Sequence, residues 1–145
     1  MDMDVRPYLS SDRDGCLAVF DSNSPDFFQS KERREFEEFL DEPNGSYFVM
    51  EHDGAIAGCG GYFITEERAV ARLVWGMVRR ELQRQGLGRF LLLFRLREIT
   101  KAGGVERVRL DAPQHSAAFF QRQGFKLVSG GPDRVEMMMK LAVCP

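Results

Sequence analysis

The amino-acid sequence predicts an α/β domain of the α+β kind, a mixed and mostly antiparallel sheet with helices on both faces, spanning residues 1–145 as a single domain. Three observations carry that expectation. Strand-period runs follow one another through short turns, the clearest being Asp53-Gly54. A strand then feeds a long helix at Gly86 and is followed by a buried strand, the pattern of a crossover to a parallel neighbour. Finally, the chain closes on two more strand-like runs around a Gly-Gly-Pro-Asp turn, which completes a layered sheet-and-helix arrangement.

Met3 to Leu9 reads as the first strand. Ser11, with Asp14 three residues later, suits a helix N-cap ahead of the apolar stretch Cys16 to Phe20. Ser30 can cap a second helix, KERREFEEFL, in which Phe36, Phe39 and Leu40 keep helical spacing and the Glu-rich outer face is solvated. YFVMEHDGAIAGCGGYFI holds two strands joined at Asp53-Gly54, a hairpin signal because both central residues of a type I′ turn need positive φ. The TEER turn leads to AVARLVWGMV, so three antiparallel strands form a meander. Gly58, Gly60 and Gly61 mark a bulge or a close backbone approach in its middle strand. LGRFLLLFRLREITKAGG is a helix stopped by Gly103-Gly104, with apolar residues nearly all round, as if covered on more than one side. The strand VERVRLDA, the short helix SAAFFQRQ ended by Gly124, and the strands FKLVS and RVEMMMKLA follow. Val135, Met137, Met139 and Leu141 alternate onto one face of the last.

The chain has 145 residues, enough to bury a core, with a hydrophobic fraction of 43% and a formal charge of −2. That charge gives no reason to expect nucleic acid or an acidic membrane as partner. Cys16, Cys59 and Cys144 are odd in number and far apart, in no metal-ligand spacing, and read as reduced, partly buried thiols. With two histidines there is no metal site to propose. The opening MDMDVRP lacks an apolar leader core, and the run Phe90 to Phe94 is too short to span a bilayer, so a cytoplasmic protein is expected.

The stretch LVWGMVRRELQRQGLGRFLL carries the chemistry. A strand runs through a short polar turn into Gly86, Leu87, Gly88 and then a helix. Unpaired N–H groups at a helix start, with the positive end of its dipole, attract an anion, and glycine lets the backbone approach it. Arg84 and Arg89 add charge-assisted contacts. A phosphate-bearing ligand is therefore expected at residues 83 to 88. A dinucleotide fingerprint fails because position 91 is Leu91, and a P-loop fails because Gly88 is followed by Arg89 and Phe90. A tight turn with no ligand is the bland alternative.

Gln83, Gly86 and Gly88 match the pattern Gln/Arg-x-x-G-x-G/A, and AAFFQRQGF at Ala117 to Phe125 is similar to A-x-x-[FL]-Y-x-x-x-G-F. In these two segments, in register with the predicted elements, the chain resembles the GNAT superfamily of acetyl-CoA-dependent N-acetyltransferases, from the Asp53 hairpin to the end. The resemblance implies a seven-stranded sheet whose fourth (Arg72 to Val78) and fifth (Val105 to Ala112) strands splay apart. It implies acetyl-CoA as cosubstrate, its pantetheine arm pairing with backbone near Met77 and Val78. The pyrophosphate would rest on N–H groups of Gln83, Arg84, Gln85, Gly86, Leu87, Gly88 and Arg89. Gly76, beside Trp75, marks either the bulge that opens the strands or the close packing of a neighbouring side chain.

The reaction implied is direct attack of a primary amine, from a small molecule or a peptide, in a ternary complex. The oxyanion donor would be the N–H of Met77 or Val78. Where many members carry a Tyr general acid, this chain has Phe120, which cannot donate a proton but can pack against the pantetheine or the thioester. Ser116 could supply a hydroxyl to the sulfur, or cap the helix. Asp111 and His115 are the titratable groups best placed to serve as base; Asp111 reads equally well as a turn residue before Pro113. Glu66 and Glu67 lie in a hairpin turn. Asp21, Asp26 and the second helix's glutamates could attract a cationic amine, with Phe27, Phe28 and Trp75 as walls, although a solvated acidic face explains them too. Exposed parts of the Phe90 to Ile99 helix or the Met137 to Met139 strand offer a homodimer contact. A non-catalytic acyl-CoA-binding or sensor domain is the alternative to the enzyme, motivated by Phe120 and the missing base.

Overall fold

The computed structural model describes residues 3–24, 30–67 and 69–141. In chain order the elements are β1 (Met3–Pro7), α1 (Arg13–Asn23), α2 (Ser30–Asp41), β2 (Ser46–His52), β3 (Ala55–Ile64), β4 (Val70–Val78), α3 (Leu87–Ala102), β5 (Arg107–Pro113), α4 (Ala117–Arg122), β6 (Lys126–Gly130) and β7 (Arg134–Lys140). The strands form one sheet in the order β1-β2-β3-β4-β5-β7-β6. It is mostly antiparallel. The parallel ladder between β4 and β5 matches Val70, Ala71 and Arg72 with Arg107, Val108 and Arg109, a short pairing of the kind splayed strands leave.

Contacts divide the chain into two compact units, Met1–Gly61 with Trp75–Arg95, and Tyr62–Val74 with Leu96–Pro145. In the first, the β2-β3 turn places Asp53 at φ 52° and Gly54 at φ 80°, the positive values a type I′ hairpin requires. Alternate residues of β2 bury on opposite faces. Tyr47 and Val49 join α1 and α2 through Cys16, Val19, Phe20, Phe36 and Leu40. On the other face Met50 packs with Leu87 and Leu91 of α3, and Phe48 meets Phe94 edge-on at 5.1 Å. Helices thus cover both faces of this unit's strands. Phe20 stacks on Phe36 at 5.6 Å, so aromatic side chains fill much of the space between α1 and α2.

The glycines of β3 mark a close approach. A Cβ at Gly61 would run into the Ser46 carbonyl oxygen and Tyr47, and one at Gly58 would lie 2.9 Å from the Met77 carbonyl oxygen. Cys16 and Cys59 are free thiols, both buried, and the proximity of Cys59 together with burial pushes the Cys16 thiol up. Cys144 lies outside the described residues.

In the second unit, Val108, Leu110, Ala112, Val135 and Met137 are buried on one face. On the opposite face Glu136 bridges Arg72 at 3.2 Å and Arg109 at 3.1 Å.

Several expectations are corrected. Ser11 does not cap α1: a 3-10 turn over Ser10–Asp12 precedes the helix and Asp12 takes the N-cap position. Its carboxylate is engaged instead by the Leu9 N–H and by the Arg6 guanidinium, all at 2.8 Å. Helix α2 is described from Ser30 onward, and the residues just before it lie outside the described ones. Helix α3 is covered along one side only, for Phe90 and Leu93 are exposed while Leu91, Leu92, Arg95 and Ile99 are buried. Of the Met137 to Met139 strand, Met137 is fully buried while Met138 and Met139 are half-buried.

Candidate functional site

The end of β4 is fastened before the chain enters the polar turn. The Arg79 N–H donates to the Ala57 carbonyl at 2.7 Å, and its guanidinium reaches the Ile56 carbonyl at 3.2 Å. A 3-10 turn spans Arg80–Leu82. Gln83 then serves as a clamp. Its side-chain amide donates to Asn23 Oδ1 at 2.7 Å and to the Val78 carbonyl at 3.0 Å. Asn23, buried at the end of α1, donates to the same carbonyl at 3.0 Å. These bonds tie α1, the end of β4 and the turn into one polar knot.

Beyond it the backbone is aimed outward. Arg84 sits at φ 65° and Gly86 at φ 84°, and α3 starts at Leu87. Backbone hydrogen bonding stops at the Gln83 N–H, which donates to Arg80, and resumes at the Phe90 N–H, which donates to Gly86 at 3.0 Å. From Arg84 to Arg89 no backbone N–H finds a protein acceptor among the described residues. Successive N–H groups of this kind make an anion-binding concavity, and the helix dipole adds to its field. Arg84, Gln85, Gly86 and Arg89 are exposed, and a Cβ at Gly86 would meet open space. The donor set is one residue narrower than expected, because the Gln83 N–H and side chain are both committed internally.

Upstream in β4, Trp75 adopts φ 44°, uncommon for a residue with a side chain and costing about 1–2 kcal/mol. Two contacts bear on Trp75 and its neighbour Gly76. Tyr47 donates its hydroxyl hydrogen to the Trp75 carbonyl at 2.8 Å. The guanidinium of Arg95 lies against Gly76, where a Cβ would come within 2.7 Å of Nη2. Of the two alternatives offered for Gly76, the close packing is present, and the neighbouring side chain is that of Arg95. Met77 and Val78 follow with buried side chains, and the Val78 carbonyl is already taken by Asn23 and Gln83.

The other candidates belong to the second unit. Asp111 is a strand residue of β5, registered opposite Glu136 and ion-paired with Arg134 at 2.9 Å, and is not a turn residue. His115 is exposed within a 3-10 turn over Gln114–Ser116. Ser116 occupies the N-cap position of α4 without a side-chain capping bond, so the capping role expected of it is not realised. Phe120 is half-buried, edge-on to Phe119 at 5.1 Å and to Phe125 at 5.7 Å.

Glu66 and Glu67 lie exposed in the β3-β4 turn, as expected. Asp21, considered for a cationic amine, is held by Arg33 at 2.8 Å. Trp75 packs on Phe36 at 4.9 Å. Asp26, Phe27 and Phe28 lie outside the described residues. No group of three or more potential metal ligands occurs among the described residues, and none of their helices is long and apolar enough to cross a membrane.

Sequence reasoning missed Asn23, Tyr47 and Arg95. Nothing in the local pattern distinguishes Asn23 or Tyr47. Arg95 had a signal: it interrupts the apolar stripe Leu91, Leu92, Ile99 at a spacing that faces the sheet.

The sequence pattern of the Acetyltransferase (GNAT) family matches residues 16–125. No curated protein matches the chain. Among solved structures, a protein described as a GNAT-family acetyltransferase from Desulfovibrio desulfuricans is similar at TM-score 0.85 and 21% identity, over 97% of this chain and 100% of that one. The ribosomal-protein-S18-alanine N-acetyltransferase of Escherichia coli superposes at TM-score 0.81 with 19% identity, over 99% and 97% of the two chains. The PaiA N-acetyltransferase of Thermoplasma acidophilum, solved in complex with coenzyme A, gives 0.78 and 15%, over 97% and 100%. At these identities the likeness is one of fold.

Proposed function

The chain belongs to the acetyltransferase (GNAT) family, and we propose that it binds acetyl-CoA at the Arg84–Arg89 turn and transfers the acetyl group to a primary amine by direct attack. The observation that carries this reading is the run of backbone N–H groups from Arg84 to Arg89 without protein acceptors, beginning a helix and flanked by the exposed Arg84 and Arg89. A diphosphate satisfies those donors and the two charges together. Coenzyme A in the complex of the Thermoplasma relative supports the same choice of ligand.

Within the transfer, Met77 and Val78 lie just past Gly76 and the left-handed Trp75, and a backbone N–H there is the donor for the tetrahedral oxyanion. Asp111 and His115 are the proposed bases for the amine, and Ser116 the proposed hydroxyl for the departing sulfur. Phe120 contributes packing alone. A thiol ionises at a pKa of about 8.5 in a free cysteine side chain, so a thiolate leaves tolerably without a strong acid.

A second reading, an acyl-CoA sensor without turnover, is favoured by one specific observation: Phe120 has no hydroxyl. Calorimetric titration of coenzyme A, followed by thiol release from acetyl-CoA over a panel of primary amines, separates the two. Binding with release supports the transferase and binding alone the sensor. Absence of binding removes both.

A further inference from the structure

Arg95 stands at the buried face of α3 with 4% of its surface exposed. Its Nη1 donates to the Gly61 carbonyl at 3.3 Å, while Nε is buried without a partner and Nη2 makes no hydrogen bond among the described residues. Among the described residues no ion pair neutralises it there; the polar groups that act on it are Tyr47, whose hydroxyl pKa burial pushes well above its ordinary value, and Cys59. A buried, unneutralised cation is costly, and such groups ordinarily carry a paired anion.

The surroundings are shaped to admit this group. A Cβ at Gly60 would lie 3.1 Å from Cζ and 3.3 Å from Nε, and one at Gly76 would lie 2.7 Å from Nη2 and 3.0 Å from Nη1. Any side chain at either position would push the planar group aside. The two N–H directions left without acceptors, Nε and Nη2, form one edge of the guanidinium, and that edge matches the two oxygens of a carboxylate.

From these contacts we infer that Arg95 is a carboxylate-recognition site: its Nε/Nη2 edge receives a carboxylate carried by one of the two substrates of the transfer. This rests on the transferase reading, in which Met77, directly after Gly76, lies at the reacting carbonyl. The carboxylate would be carried a few bonds from that carbon, on the side of β4 where Gly76 meets the guanidinium. It can come from the acyl donor, as in an acyl-CoA with a terminal carboxyl, or from the acceptor, as in an amino acid.

The test has two arms. Coenzyme A is first titrated calorimetrically into the wild type, Arg95→Met and Arg95→Lys, which reports the pyrophosphate site separately. The donor arm compares kcat/KM for succinyl-CoA with acetyl-CoA; the acceptor arm compares an amino acid with the amine that lacks its carboxylate. The wild type is expected to favour the carboxylate-bearing member in one arm by about ten- to a hundredfold. Arg95→Met removes that preference and Arg95→Lys, which keeps the charge without the fork, retains a minor part of it. Should Arg95→Met fail to fold, Arg95→Lys carries the comparison. Coenzyme A binding and turnover with the same ratios in wild type and variant, in both arms, overturns this inference and leaves the transferase standing. A wild type that does not bind coenzyme A overturns both.

Discussion

Gly86 and Gly61 show two different demands that one residue type meets. At Gly86 the demand is conformational: φ is 84° and the space beside it is open. Gly86→Glu combines left-handed strain with a negative charge beside the proposed pyrophosphate, so calorimetry should show coenzyme A affinity reduced at least about tenfold, against a loss of about 1–2 kcal/mol in fold stability. At Gly61 the demand is steric, and the obstacle is the backbone of Ser46 and Tyr47. Gly61→Ala should therefore cost about 2–3 kcal/mol in urea unfolding. Gly76→Ala, whose obstacle is the end of the Arg95 side chain, should cost less, since that group can shift. Equal losses in the two variants would mean that Arg95 is held as rigidly as backbone. Asp12 answers to charge rather than space. The hydrogen bonds from Arg6, then that from the Leu9 N–H, hold its carboxyl below the usual range. A pKa lowered on folding contributes stability above the unfolded value of about 3.9, and the contribution disappears as pH falls through the folded value. Asp12→Asn should flatten the acid limb of the stability profile below about pH 4 while leaving the slope above pH 6 unchanged.

At the scale of elements, the turn proposed to bind coenzyme A is only as firm as the α1 end to which it is tied. Gln83 donates to Asn23 Oδ1 as well as to the Val78 carbonyl, so Gln83→Ala leaves the buried Asn23 Oδ1 without its donor. A stability loss of about 1–3 kcal/mol should follow, together with weaker coenzyme A binding through a loosened turn. Wild-type affinity in that variant would show that the N–H groups from Arg84 onward hold their conformation unaided. Helix α4 presents the contrary case. Phe120 is half-buried and meets Phe119 and Phe125 edge-on, a site where a ring hydroxyl can find room at the exposed rim. Phe120→Tyr should keep or raise turnover; a large loss would assign the ring a packing duty that a hydroxyl disrupts.

For the molecule as a whole, binding at the proposed turn is linked to folding. Coenzyme A at a hundred times its dissociation constant should raise unfolding free energy by about 2.7 kcal/mol, with amide exchange slowed between Arg84 and Arg89. A shift spread over the chain without protection of those amides would move the site elsewhere. Strand order around the Asp53-Gly54 hairpin, the length of α3 and its stop at Gly103-Gly104 were legible in the sequence, because each depends on period and turn chemistry within a few residues. The exposed turn with unpaired N–H groups at the start of α3 was legible for the same reason: glycine spacing at a helix start is a local property. The α1 cap was misread because Ser11 has the right residue type, while competition decided the outcome: Arg6 and Leu9 engaged Asp12 from outside the helix. What only tertiary structure decided is what lies opposite each side chain: that Gln83 faces Asn23 and not a ligand, that Asp111 faces Arg134, and that Gly60 and Gly76 open a place for Arg95. Periodicity states that a position points inward. It does not state what meets it there, and the chemistry of a buried guanidinium depends on that meeting.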